Sequence, residues 1–181
     1  TGDERLAARI RILRNHGQEP RYYHHLVGVN SRLDSMQAAV LRVKLPHLDR
    51  WAKGRAEHAA RYAQLFRAAG LDESLGLPQA AEGMGHVWNQ YTVRVPDGRR
   101  DALFNHLTRA KIGAAIYYPV PLHLQDCFSA LGYKRGSLPE TERAASEVLS
   151  LPIYPEMTPA EQEMVAEEIG RFFAGKAVRA A

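Results

Sequence analysis

The chain has 181 residues, 45% of them apolar and 24% charged. These are ordinary globular proportions, which exclude disordered and collagen-like classes. No apolar run approaches the roughly 20 residues of a membrane helix. The opening Thr1-Gly2-Asp3-Glu4 does not read as a secretory signal, because no basic segment leads into an apolar one. A lone Cys127 rules out an internal disulfide and fits a reducing, cytoplasmic setting. The net charge of +4 comes from 19 arginines and 5 lysines spread among acids. Even Arg94, Arg99 and Arg100 are flanked by Asp97 and Asp101, so neither nucleic acid nor a membrane is an expected partner.

In chain order, Leu6, Ile10 and Leu13 recur at helical spacing and predict a helix from about Asp3 to His16, stopped by Gly17. Residues 18–29 read as a loop rich in tyrosine and histidine. Asp34-Ser35-Met36-Gln37 fits a capping box and opens a helical region that Pro46 should break or kink. A second helix runs from about Leu48 to Ala69, with Leu48, Ala52, Ala56, Ala59, Ala63 and Phe66 as its apolar stripe and Gly70 as its C-cap.

Trp88 to Val95 alternates as a half-buried strand, with Tyr91, Val93 and Val95 on one face. A turn at Pro96-Asp97-Gly98 leads to an amphipathic helix from Arg100 to Lys111. A second strand is expected at 114–118, a helix capped at Ser137 to Glu140 and running to Leu149, and a third strand at 151–154. Thr158-Pro159-Ala160-Glu161 is a capping box with proline at the first helical position. It opens a last helix that buries Val165, Ile169 and Phe172. The fold class is therefore α+β: long helices followed by a small, mainly antiparallel sheet covered by helices. The expected division is 1–35 as the tail of a larger domain with a loop, 36–70 as connecting helices, and 71–181 as a small α+β domain.

No glycine-rich phosphate loop, zinc spacing or Gly-x-Ser-x-Gly elbow is present, so no metal site is expected. The chemistry-bearing side chains lie in two loops. One carries Tyr23, His24, Asn30 and Arg32. The other is stiffened by Pro119 and Pro121 and carries Tyr118 and His123. A loop pre-set by prolines loses little entropy when it binds a ligand. A guanidinium such as Arg32 pairs with phosphates or carboxylates, or else bridges to Asp34 or caps a helix.

These pieces line up in a wider pattern. The first block is Asn15-His16-Gly17, Tyr23-His24, Gly28-Val29-Asn30-Ser31-Arg32-Leu33-Asp34, Gln37-Ala38-Ala39 and Lys44-Leu45. The second is Tyr118-Pro119, Pro121-Leu122-His123-Leu124-Gln125, Leu131-Gly132-Tyr133, Leu138-Pro139, Glu142 and Leu149-Ser150-Leu151-Pro152-Ile153-Tyr154-Pro155. In order and spacing, over nearly the whole chain, they resemble the DegT/DnrJ/EryC1/StrS aminotransferases.

The resemblance implies the C-terminal part of a fold-type-I enzyme. Such enzymes use pyridoxal 5'-phosphate (PLP) to aminate a keto-sugar nucleotide, with an amino acid such as glutamate as donor, in a homodimer. It places Asn30 on the cofactor phosphate of the partner subunit. Tyr23, His24, Arg32, Tyr118 and His123 become candidate contacts to the sugar nucleotide or donor, and C-3 amination is favoured over C-4. It also implies a Schiff-base lysine and a pyridinium-binding acid upstream of Thr1. Lys44, Lys53, Lys111, Lys134 and Lys176 lack that context, so no catalytic residue is expected in this chain and the chain by itself is expected to be inactive. Two alternatives stand beside this reading: a PLP-dependent sugar dehydratase on the same scaffold, and a non-catalytic regulatory or interaction module.

Overall fold

The computed structural model describes residues 1–175, so Lys176 lies outside it. The chain divides into two compact units, with the boundary between Leu48 and Asp49.

In the first unit, helix α1 spans Glu4–Arg14. The Asp3 carboxylate caps it by accepting from the Arg5 and Leu6 N–H groups, which have no intrahelical partner. Helix α2 spans Ser35–Lys44, and the Asp34 carboxylate accepts from the Gln37 N–H at 2.8 Å. Met36, Val40 and Val43 on α2 are exposed. The expected break at Pro46 takes the form of a separate 3-10 turn, Leu45–His47. Proline has no N–H for the helical ladder.

Helix α3 spans Leu48–Ala68 and from Asp49 onward belongs to the second unit. Its buried face is Ala59, Tyr62 and Phe66, so the expected alanine stripe is centred instead on Tyr62, and Leu48 is exposed. Burial of those rings in the core of this unit places α3 within it, and so the boundary falls at Leu48 rather than near residue 70.

Strand β1 is Tyr91–Arg94, β2 is Val148–Leu151, and they pair antiparallel with Thr92 opposite Ser150. Helices α4 (Arg100–Arg109), α5 (Pro139–Glu147) and α6 (Pro159–Phe173) complete the unit. Tyr62, Phe66, Tyr91, Leu103, Leu149 and Ile169 form its fully buried centre. Tyr91 and Val93 face inward as their alternation predicts. Thr158 and Glu161 make both halves of the expected capping box.

The strand expected from Trp88 begins only at Tyr91, Trp88 lying at φ +49°, and three further elements differ. The strand at 114–118 reduces to one bridge, in which Ala115 and Ser150 exchange backbone bonds of 3.0 and 2.8 Å. The strand at 151–154 lies three residues earlier, because Pro152 cannot donate to a ladder. The helix expected to reach Leu149 therefore ends at Glu147, and its start is capped without Ser137, whose hydroxyl accepts from the Lys134 N–H.

A polar clamp joins α3 to α6 inside this unit. Fully buried Gln162 donates from Nε2 to the His58 carbonyl at 2.9 Å and accepts from His58 Nδ1 at 3.1 Å. Gln162→Leu leaves the imidazole without that partner and is expected to cost about 1–3 kcal/mol. Urea unfolding should show a lower midpoint at unchanged slope. An unchanged midpoint would mean that the clamp contributes no stability.

Candidate functional site

The first candidate surface is built by the end of α1. The last carbonyls of a helix have no partner within it. Here residues 28–31 return alongside and take them: the Val29 N–H donates to the Leu13 carbonyl at 2.9 Å and the Ser31 N–H to the Arg14 carbonyl at 2.9 Å. The reversal needs Gly17, at φ +70°, and Gly28, whose backbones touch. The pairing sets Asn30 opposite Asn15 in an antiparallel bridge.

Arg32 then reaches both amides. Its Nε donates to Asn30 Oδ1 at 3.1 Å and its Nη1 to Asn15 Oδ1 at 3.3 Å. It does not bridge to Asp34, whose carboxylate is on the α2 cap. The consequence is electrostatic. Each carboxamide spends its oxygen on the guanidinium, which leaves the Nδ2 groups as donors. Asn30 and Arg32 are both exposed. The result is a patch rich in N–H donors that carries one positive charge, a surface that suits an anion and repels a cation.

Tyr23 and His24 lie in the same loop. A turn closed by the Tyr23 N–H on the Pro20 carbonyl holds Tyr23 exposed. His24 Nδ1 donates to the His16 carbonyl at 2.9 Å, which leaves Nε2 as the ring's outward-facing nitrogen. His16 in turn donates its N–H to the Val29 carbonyl, next to Asn30.

The second candidate surface, in the other unit, is the segment after Ala115. Tyr118 is 73% exposed, its ring 5.7 Å from that of Tyr117. Between this loop and α5 lies a mostly apolar cavity of about 370 Å³, lined by Tyr117, Tyr118, Val120 and Leu122 on one side and Thr141 and Ala144 on the other. His123 turns inward and is 8% exposed. Its Nε2 donates to Glu142 at 3.0 Å, and its ring lies edge-on to Tyr133. The carboxylate of Glu142 is held below its usual range, first by the His123 hydrogen bond and then by backbone donors of Gly136 and Leu138.

The structure thus brings Asn30 and Arg32 into direct contact and ties His24 to the same loop. It exposes Tyr118 and buries His123. Two partners escape sequence reasoning, Asn15 for Arg32 and Glu142 for His123. Each lies more than fifteen residues from the group it holds, beyond the reach of any local pattern. Among the described residues no group of three His, Cys, Asp or Glu side chains is placed to hold a metal ion. No described helix is long and apolar enough to cross a membrane.

A donor-rich loop at a helix end and a small antiparallel sheet covered by helices are the features to set beside known proteins. Residues 1–170 match the model of the DegT/DnrJ/EryC1/StrS aminotransferase family, and the chain belongs to that family. It is 49% identical over 173 residues to a protein of Geobacillus stearothermophilus named "Pleiotropic regulatory protein", covering 96% of this chain and 46% of that one. It is 47% identical over 157 residues to dTDP-3-amino-3,4,6-trideoxy-alpha-D-glucose transaminase of Streptomyces venezuelae, covering 87% of this chain and 40% of that protein. In structure it resembles S. venezuelae DesV, solved by X-ray crystallography in complex with a ketimine intermediate, with a TM-score of 0.84 and 41% identity over 95% of this chain and 45% of that one. The chain spans about half the length of the curated relatives it matches.

Proposed function

We propose that this chain is the C-terminal part of a cytoplasmic, homodimeric PLP-dependent aminotransferase that aminates a keto-sugar nucleotide, at C-3 rather than C-4, with an amino acid such as glutamate as donor. The observation that carries the reading is the Asn15–Arg32–Asn30 cluster, whose remaining donors and single positive charge fit a phosphate monoester. Bound PLP supplies the electron sink for breaking bonds at the amine-bearing carbon. The residues of this chain bind and orient. Asn30 donates to the cofactor phosphate of the partner subunit, and Arg32 fixes the Asn30 amide so that its nitrogen points outward. Tyr23, His24 and Tyr118 offer phenol and imidazole groups to sugar hydroxyls or the diphosphate. The 3-amino product in the name of the S. venezuelae relative supports the C-3 assignment.

In the full-length protein, Asn30→Ala is expected to weaken PLP binding about 10- to 100-fold, the worth of one hydrogen bond to a charged group. Titration of the apoprotein with PLP, followed by absorbance, measures it. An affinity within twofold of the parent would remove Asn30 from the phosphate site.

The relative named a pleiotropic regulatory protein supports a second reading, in which the full-length protein acts in regulation. Amino transfer from glutamate to a 3-keto-sugar nucleotide by the purified full-length protein favours the first reading. Unaltered sugar nucleotide in the presence of bound PLP favours the second.

A further inference from the structure

The exposed side chains around Tyr118 do not pack closely on α5. Their loop borders the cavity of about 370 Å³, with Tyr117, Tyr118 and Val120 facing Thr141 and Ala144 over open space. A radial gap of about 0.5–1 Å already forfeits about a quarter to a half of a van der Waals contact, so side chains facing each other across the cavity hold one another only weakly. The hydrogen bonds of Leu124 N–H to the Pro121 carbonyl and of Gln125 Nε2 to the Val120 carbonyl lie within the loop itself. They set its shape without setting its position against α5.

One side-chain hydrogen bond ties the loop directly to α5. Glu142, on α5, gathers donors from two other segments. His123 Nε2 donates to its Oε1 at 3.0 Å, from the 3-10 turn Leu122–Leu124. The Gly136 N–H donates to Oε1 at 2.8 Å and to Oε2 at 3.0 Å, and the Leu138 N–H reaches Oε1 at 3.5 Å, both from the turn that precedes α5. The His123 side chain is only 5% exposed and that of Glu142 15%, so the hydrogen bond between them is largely sheltered from competing water. The backbone donors of the turn hold the carboxylate, and the carboxylate holds the imidazole.

We infer that Glu142 is a positioning residue: through His123 it locks the loop 117–125 to α5 and so fixes where Tyr118 is presented to the sugar nucleotide. The inference rests on the reading of Tyr118 as a substrate contact. It gives His123 a role other than direct contact, because its Nε2 is committed to Glu142 while Tyr118, five residues earlier, faces outward.

The test uses the full-length protein and steady-state kinetics with the keto-sugar nucleotide, together with thermal melting. Tyr118→Ala and Glu142→Ala are each expected to raise the KM for the sugar nucleotide about tenfold while kcat stays within about threefold. Glu142→Gln keeps an amide oxygen where Oε1 accepts from His123 and Gly136, and it should bring KM back to within about threefold of the parent. Adding Glu142→Ala to His123→Ala should raise KM no further than His123→Ala does, because one connection is lost in both. Gln162→Leu is the control: it lowers the melting temperature and leaves KM unchanged.

If Tyr118→Ala raises KM and Glu142→Ala leaves it within twofold, the lock is wrong while the substrate reading stands. If Tyr118→Ala itself leaves KM unchanged, the substrate reading fails and the lock falls with it. Should Glu142→Ala not fold, His123→Leu carries the same expectation, and an unchanged KM in that variant overturns the proposal.

Discussion

Gly28→Ala is expected to dismantle the loop that presents Asn30 and to weaken PLP binding by the full-length protein at least about 100-fold, or roughly 2.7 kcal/mol. A Cβ at Gly28 would lie 2.2 Å from the Gly17 nitrogen, 2.5 Å from the Leu13 carbonyl oxygen and 2.6 Å from the His16 carbonyl carbon. All three are backbone atoms, and none can rotate away. Leu13 and His16 are also the residues whose backbone groups bond to Val29, so relieving the clash breaks the bonds that place Asn30 opposite Asn15. Gly85→Ala is the control, because a Cβ there meets nothing within 4 Å. The same absorbance titration reads both variants. Parent-like affinity in Gly28→Ala would show that phosphate binding does not depend on this loop.

The second large effect is alkaline. Burial pushes the Tyr91 phenol up to about 12, against the nearby positive charge of Arg67, which pulls it down. Burial pushes Tyr62 higher still, helped by the neighbouring phenol of Tyr91. An unfolded chain releases both protons near pH 10, whereas the folded chain keeps them. Unfolding therefore releases protons in this window, and stability falls as pH rises from about 10 to 12. Tyr91 contributes on the order of 2–3 kcal/mol of that loss, and Tyr62 adds to it.

Urea unfolding at pH 9 and pH 11 measures the effect. Tyr91→Phe should remove the Tyr91 share. It should cost little at neutral pH, because the buried Tyr91 hydroxyl has no hydrogen-bond partner among the described residues. Tyr62→Phe removes its own share but gives up the bond to the Pro152 carbonyl at 3.0 Å. Equal midpoints at the two pH values would contradict the burial argument.

What could be read from the sequence follows physical lines. Caps are local chemistry, so Asp3, Asp34 and Thr158 mark real helix starts. The alternation of Tyr91, Val93 and Val95 reflects one dry face and survives as β1 with its inward residues. Strand β2 is buried along most of its length, and a short apolar run of that kind carries no period to separate it from the end of a helix. That is why the sequence pattern runs α5 two residues too far and puts the strand three residues too late. The same limit applies to the candidate site. Asn30 and Arg32 stand in a recognisable block, but what orients them is Asn15, brought near only by the reversal at Gly17. His123 looks like an open loop histidine until the fold supplies Glu142.

The pairings at Gly76 and Ala115 have a consequence for association. Arg94 of β1 exchanges backbone bonds with Gly76 at 2.9 and 2.8 Å, and Ser150 of β2 does the same with Ala115. Arg94 also faces Val148 and Ser150 faces Thr92 across the ribbon, so each bridge occupies an outer margin. At Gly76 a Cβ would press on the Arg94 side chain at 2.9 Å, and glycine is what allows the chain to come this close. A two-stranded ribbon with bare margins is a template on which another extended chain can add. Here a single residue on each side takes one pair of the backbone groups such an intruder would need. Each bridge shortens the edge open to strand addition without a third or fourth full strand, and the segments on either side can serve as loops.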